Sequence, residues 1–79
     1  MKYYFIGTRI NYVYNNWDEE YTKEEYYSFI VQARSKVEAR KQAYVMSKHC
    51  LMNEFDNIKQ VLGVVVTDCY ITSEDARTN

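Results

Sequence analysis

A Ser three residues ahead of a Glu, set between segments that alternate apolar and polar residues, leaves this chain few ways to fold. Ser35 stands where a helix N-cap belongs, and Glu38 completes a capping box, in which each side chain satisfies the other residue's orphaned backbone N–H. From Ser35 to roughly Met52, Ala39, Ala43, Met46 and Cys50 recur at helical spacing. Val37, Tyr44 and Leu51 widen that stripe into an inner arc, and Glu38, Lys41, Gln42, Lys48 and His49 make the polar side. Ala39 and Ala43 are small enough to let a helix lie close to a sheet. Asn53 to Asn57 is polar and turn-favouring, and stops the helix.

Strand-like segments flank the helix. Tyr3 to Tyr14 alternates, with Tyr4, Ile6, Thr8, Ile10, Tyr12 and Tyr14 on the more apolar face, the candidate core side. Gly7 weakens this strand and marks a bulge or a close approach by the helix. Asn15 to Glu25 reads as a loop, opened by Asn-Asn and continued by an acidic, aromatic-bearing stretch. Tyr26 to Arg34 alternates again, with Tyr27, Phe29, Val31 and Ala33 on one face, and pairs antiparallel with the first strand. Ile58 to Thr72 is the third strand, and Ser73 to Asn79 is a polar, frayed tail. Val61, Leu62, Val64, Val65 and Val66 form a nearly continuous apolar run, the pattern of a strand covered on both faces.

The whole chain thus reads as one small globular α+β domain, residues 1–79, in the order β-β-α-β. The third strand can pair antiparallel with the first, giving spatial order 2-1-3, or parallel with the second through a right-handed crossover. A three-stranded antiparallel sheet of order 2-1-3 with the helix on one face is the expected fold. One helix covers one face, so the long loop, a twin subunit or a partner must cover part of the other.

Charge is segregated although the net value is only −1. Asp18, Glu19, Glu20, Glu24 and Glu25 face Lys23 alone, whereas Arg34, Lys36, Arg40, Lys41 and Lys48 face only Glu38. These two blocks could attract each other or meet different partners. Nine tyrosines, with three Phe and one Trp, suit a small core and equally a contact surface. Cys50 and Cys69 are too few for a disulfide framework and read as buried, reduced thiols of a cytoplasmic protein. Neither a leader nor a membrane span is expected.

The chemistry-bearing signals are sparse. One histidine and two cysteines without C-x-x-C or H-x-x-x-H spacing argue against a metal centre. His49 and Cys50 are sequence neighbours and diverge by about 100° on a helix, so they do not form a nucleophile and base. Gly7 and Gly63 are isolated, with no phosphate-cradling loop around either. The acids of 18–25 lack the ligand alternation and turn glycine of a calcium loop. No enzyme activity and no cofactor are expected.

Binding remains. Trp17, Asp18, Glu19, Glu20, Tyr21, Glu24 and Tyr26 are the candidate partner-binding residues, and the acidic run has the density to imitate a phosphate backbone. Arg34, Lys36, Arg40, Lys41 and Lys48 are the candidates for contact with nucleic acid or an acidic partner, with Tyr26, Phe5 or Tyr70 available to stack on bases. The strand–strand–helix–strand layout and the run from Ala33 through Arg34, Ser35 and Lys36 to Ala43 resemble small phage-encoded host-takeover proteins, among them the anti-CRISPR proteins that block type I surveillance complexes. The likeness covers roughly residues 26–71 and transfers no functional residue. It implies a non-catalytic inhibitor, acting in the host cytoplasm, that occludes a defence or nucleic-acid-handling complex by protein contact. A small nucleic-acid-binding module using the basic helix face is the alternative, and a homodimer through the open sheet face is a third reading.

Overall fold

The computed structural model describes residues 1–72, so the expectation of a frayed tail lies outside the described residues. β1 (Lys2–Asn16), β2 (Glu19–Ala33), α1 (Lys36–Glu54) and β3 (Ile58–Ile71) follow in chain order. The sheet order is β2-β1-β3, and both pairings of β1 are antiparallel. This is the α+β arrangement that the sequence implies.

β2 begins at Glu19 rather than at Tyr26 and ends at Ala33, whereas β1 gains only Lys2, Asn15 and Asn16 over expectation. The segment read as a loop, 15–25, is instead the distal half of a β-hairpin in which 15 residues of β1 pair with 15 of β2, from Lys2 opposite Ala33 to Asn16 opposite Glu19. Only Trp17 and Asp18 turn the chain. Trp17 alone among the described non-glycine residues has a positive φ, 62°, as the first central residue of a type II′ turn requires. Glu19, Glu20, Glu24 and Glu25 are poor intrinsic strand formers. Pairing with β1 overrides that preference, because strand propensity is decided mostly by neighbours.

Alternation places Tyr4, Ile6, Thr8, Ile10 and Tyr12 on the helix side of β1, all buried. β3 meets β1 less regularly, with register shifts between Gly7 and Thr8, Asn11 and Tyr12, and Val13 and Tyr14. The first shift lies beside Gly7, where an added Cβ would come within 2.9 Å of Thr67 Oγ1, so the glycine accommodates the strand irregularity rather than the helix. These shifts also resolve the apolar run. Val61, Val64 and Val66 all pack against the core, whereas Leu62 and Val65 are exposed. The run reflects reset alternation and an open face, not a strand buried on both sides.

Ser35 caps the helix as expected, its Oγ accepting from the Glu38 N–H at 3.3 Å. The return bond differs: Glu38 Oε2 accepts from the N–H of Arg34, not of Ser35, at 3.3 Å. The helix buries Ala39, Ala43, Ser47 and Leu51, a row spaced by four. Cys50 is half-buried, while Tyr44 and Met46 flank the row and are exposed. Val37 lies further round the helix and is 60% exposed. The inner arc is therefore narrower than the sequence suggests, because each step of four carries the row only about 40° round the axis.

Two apolar clusters result. Tyr4, Ile6, Val31 and Ala33 pack with Ala39 and Ala43, and Ile10 and Tyr12 pack with Leu51 and Phe55. Between them Thr8 and Ser47 share a buried hydroxyl–hydroxyl bond of 2.6 Å. Removing one hydroxyl leaves the other buried and unsatisfied, at about 1–3 kcal/mol, whereas replacing both with apolar groups of similar shape is nearly neutral. We expect Thr8→Val and Ser47→Ala each to destabilise the fold by that amount and the double variant to recover most of it. Urea denaturation of the four proteins of this cycle measures the coupling.

Candidate partner-binding surfaces

The sheet face opposite the helix is built from the odd-numbered residues of β1 and their cross-strand neighbours. Ile30, Phe5 and Tyr70 form one row across the three strands, with Phe5 and Tyr70 stacked at 5.0 Å between ring centroids. Ser28, Gly7 and Asp68 form the next, a row of small and polar residues. Tyr26, Arg9 and Val65 form the third. Tyr26 and Ile30 are 62% and 58% exposed, and Val65 and Tyr70 are exposed as well. Two apolar rows therefore stand in solvent on either side of a shallow gap. Arg9 sits between Tyr26 and Val65 with its Nε 3.8 Å from Glu24 Oε2, an ion-pair contact too long to be a hydrogen bond.

The expected loop site is divided by strand alternation. Glu20, Glu24 and Tyr26 lie on the open face, whereas Glu19 and Tyr21 lie on the helix side, and Trp17 and Asp18 form the turn. Several of the acids are engaged. Tyr21 donates to Glu19, Lys59 pairs with Glu20, Tyr26 donates to Glu24 at 3.3 Å, and Tyr12 donates to Glu25 at 3.4 Å. Asp18 to Tyr26 spans roughly 26 Å of strand, so these residues make an edge and a tip rather than a single patch. Trp17 is the outlier. It is 94% exposed, in a backbone conformation that favours glycine.

Arg34, Lys36, Arg40, Lys41 and Lys48 are all exposed, and no salt bridge among the described residues involves any of them. They are spread round the helix and do not converge. Arg40 borders a recess with Tyr44, Val64 and Val65, while Lys41 borders another with Val45 and Met46. Lys41, Val45, Lys48 and Met52 share the outer ridge, where the two apolar residues are as open as the two cations. Among the described residues no three His, Cys, Asp or Glu side chains are grouped to hold a metal ion, and no helix is long and apolar enough to cross a membrane. Cys50 and Cys69 are free thiols.

Sequence reasoning named Phe5, Tyr26 and Tyr70 but missed Ile30 and Val65 as surface residues. The parity shared by Ile30 and Tyr26 was the available signal for the first; nothing in the sequence marks the register shifts that expose Val65. No protein-family model, curated protein or solved structure matches the chain.

Three phenols on the helix side are held above their ordinary value of 10.0: Tyr27 by burial and then by its bond to Glu54, Tyr12 by burial and then by Glu25, and Tyr21 by its bond to Glu19. The folded chain keeps these protons where the unfolded chain releases them. The resulting stability is fully present below about pH 10 and declines as pH rises beyond it. Denaturation midpoints measured on either side of that pH should fall on the alkaline side, and less steeply for Tyr27→Phe. A second expectation concerns the turn. Trp17→Gly should stabilise the fold by roughly 1 kcal/mol, since holding an L side chain at a positive φ costs about that much, and a thermal melt reads the difference.

Proposed function

We propose that this chain is a non-catalytic binding protein that uses its open sheet face to cover a surface of a partner protein. The observation that carries this reading is the pair of rows Ile30–Phe5–Tyr70 and Tyr26–Arg9–Val65, whose outer members Ile30, Tyr70, Tyr26 and Val65 are all solvent-exposed. Large aromatic residues beside an arginine, on a rigid sheet, have the composition of an interface core. Neither α1, which lies on the other face, nor the tight 16–19 turn, which leaves no loop to fold back, covers them. The likeness in layout to phage-encoded inhibitors such as anti-CRISPR proteins gives the proposal a concrete form: occlusion of a bacterial nucleic-acid-handling complex by protein contact.

Direct nucleic-acid binding through the basic helix is the second reading, favoured by five exposed cations that form no salt bridge among the described residues. Its weakness is geometric. The stacking candidates Phe5, Tyr26 and Tyr70 belong to the open face, and the cations to α1 and its entry on the opposite side. One strand of nucleic acid does not reach both at once, whereas single-strand binding combines a cationic track with stacking rings in one groove.

Capture from a bacterial lysate on the immobilised chain separates the readings. The sheet-face proposal predicts a co-purifying complex that is lost with Val65→Glu plus Tyr70→Glu and kept when Arg40 and Lys41 are reversed to Glu. The reverse pattern, together with a mobility shift that weakens steeply with salt, supports nucleic-acid binding instead. If reversing Asp18, Glu19 and Glu20 to Lys is what abolishes capture, the hairpin tip takes the place of the sheet face.

A further inference from the structure

The two edges of this sheet are defended unequally. β3 carries three register irregularities, together with Lys59 and Asp68. Such distortions and charges keep an edge strand from pairing with another chain. β2 has neither defence over Tyr26–Ala33: its register with β1 is unbroken, and these eight residues include no charge, no proline and no glycine. An uncharged, regular edge of strand-favouring residues is a template for strand addition.

Two hydrogen bonds determine which backbone groups this edge offers. Thr72 N–H donates to the Tyr3 carbonyl at 2.9 Å, and Asn15 N–H donates to the Asn57 carbonyl at 3.0 Å. Odd-numbered residues of β1 therefore turn their backbone groups toward β3. Their β2 partners, Tyr26 opposite Arg9 and Ser28 opposite Gly7, turn theirs away from β1 to the free edge, as do Ile30 and Gln32. At Gln32 the carbonyl is already taken, by Gln42 Nε2 of the helix at 3.1 Å. The unclaimed stretch is Tyr26 to Ile30.

We propose that two copies of this chain pair antiparallel through this stretch of β2, about a two-fold axis at Ser28. Ser28 then lies opposite Ser28 of the second copy, and Tyr26 opposite Ile30, each pair exchanging both backbone bonds. On the open face this places an exposed aromatic ring across from an exposed β-branched side chain, a favourable cross-strand pair. Charge selects both the direction and the occupant. Antiparallel pairing lays the acidic end of one β2, where Glu20 pairs with Lys59 and Glu24 with Arg9, alongside the entry to the other copy's helix, where the side chains of Arg34 and Lys36 make no salt bridge among the described residues. The complementarity is made twice, once on each side of the axis. Parallel pairing would set the acids against one another. The product is a six-stranded sheet with both helices on one side and the open apolar face continuous across the seam.

The test uses the full chain. Light scattering across a dilution series should give the mass of two chains at high concentration, with dissociation favoured by added salt. Ser28→Pro removes an N–H that points away from β1, so the β1–β2 ladder is kept while the new seam is not. It should be monomeric with unchanged far-ultraviolet circular dichroism. Should the proline variant fail to fold, Ile30→Lys, a charge on the same edge, should also give the monomer. In a Cys50→Ala, Cys69→Ala background, Ser28→Cys should cross-link between chains with a short bis-maleimide. Thr22→Cys should not, because its two copies would lie roughly 40 Å apart. A wild-type monomer throughout the series overturns the proposal, as does a dimer that survives in Ile30→Lys or one in which Thr22→Cys cross-links as readily as Ser28→Cys. These readouts depend on β2 alone, so they stand or fall separately from partner capture by Val65 and Tyr70.

Discussion

The Thr8–Ser47 hydroxyl pair sits at the midpoint of the molecule, and much else depends on it. It is a bond between buried groups of the central strand and the helix, flanked by an apolar cluster at either end. Hydrophobic contact alone is indifferent to small sliding movements of a helix along a sheet. A buried polar pair is not, because a shift that breaks it strands two unsatisfied hydroxyls. The pair thus sets where along β1 the helix rests, with Ala39 and Ala43 over one end and Leu51 over the other. The small residues of that row permit a close approach, so the helix covers a narrow stripe.

A narrow helix on a wide sheet has consequences on both of its sides. The helix spends only four residues on full burial, and its outer ridge keeps Val45 and Met52 in solvent among its lysines. Among the described residues, the opposite sheet face receives no helix. The surface is therefore rich in apolar side chains held on rigid elements, an arrangement that favours binding with little ordering cost.

Most of the architecture was legible because it rests on short-range signals. The Ser35 cap, the alternation of Tyr4 to Tyr12 and the order of elements all depend on residues close in sequence; they left two sheet orders open, of which the favoured 2-1-3 is the one formed. The errors came where distant pairing decides. Residues 15–25 have the composition of a loop, and no Asn-Gly or Asp-Gly marks the turn; the strand forms because β1 supplies a continuous partner. The Val61 to Val66 run looked covered on both faces because strict alternation was assumed, whereas β3 changes register three times. The candidate site was divided by the same cause. A loop can gather its carboxylates on one side, but a strand sends Glu19 and Glu20 to opposite faces.

Trp17 bears on how the hairpin should be understood. Glycine would occupy its backbone conformation without cost, and a turn has no packing need for the largest side chain when that side chain is 94% exposed. Folding alone therefore does not account for a tryptophan here. The ring is held at the end of two paired strands, next to Asp18 and beyond the stacked Tyr14–Tyr21 pair, whose centroids lie 5.4 Å apart. Lys23 covers the Tyr14 ring at 5.2 Å, and Asn57 fastens Asn15 from the other side. These contacts stiffen the base of the hairpin while leaving its tip bare. The tip therefore joins the open sheet face among the surfaces whose composition the contacts of the fold do not account for.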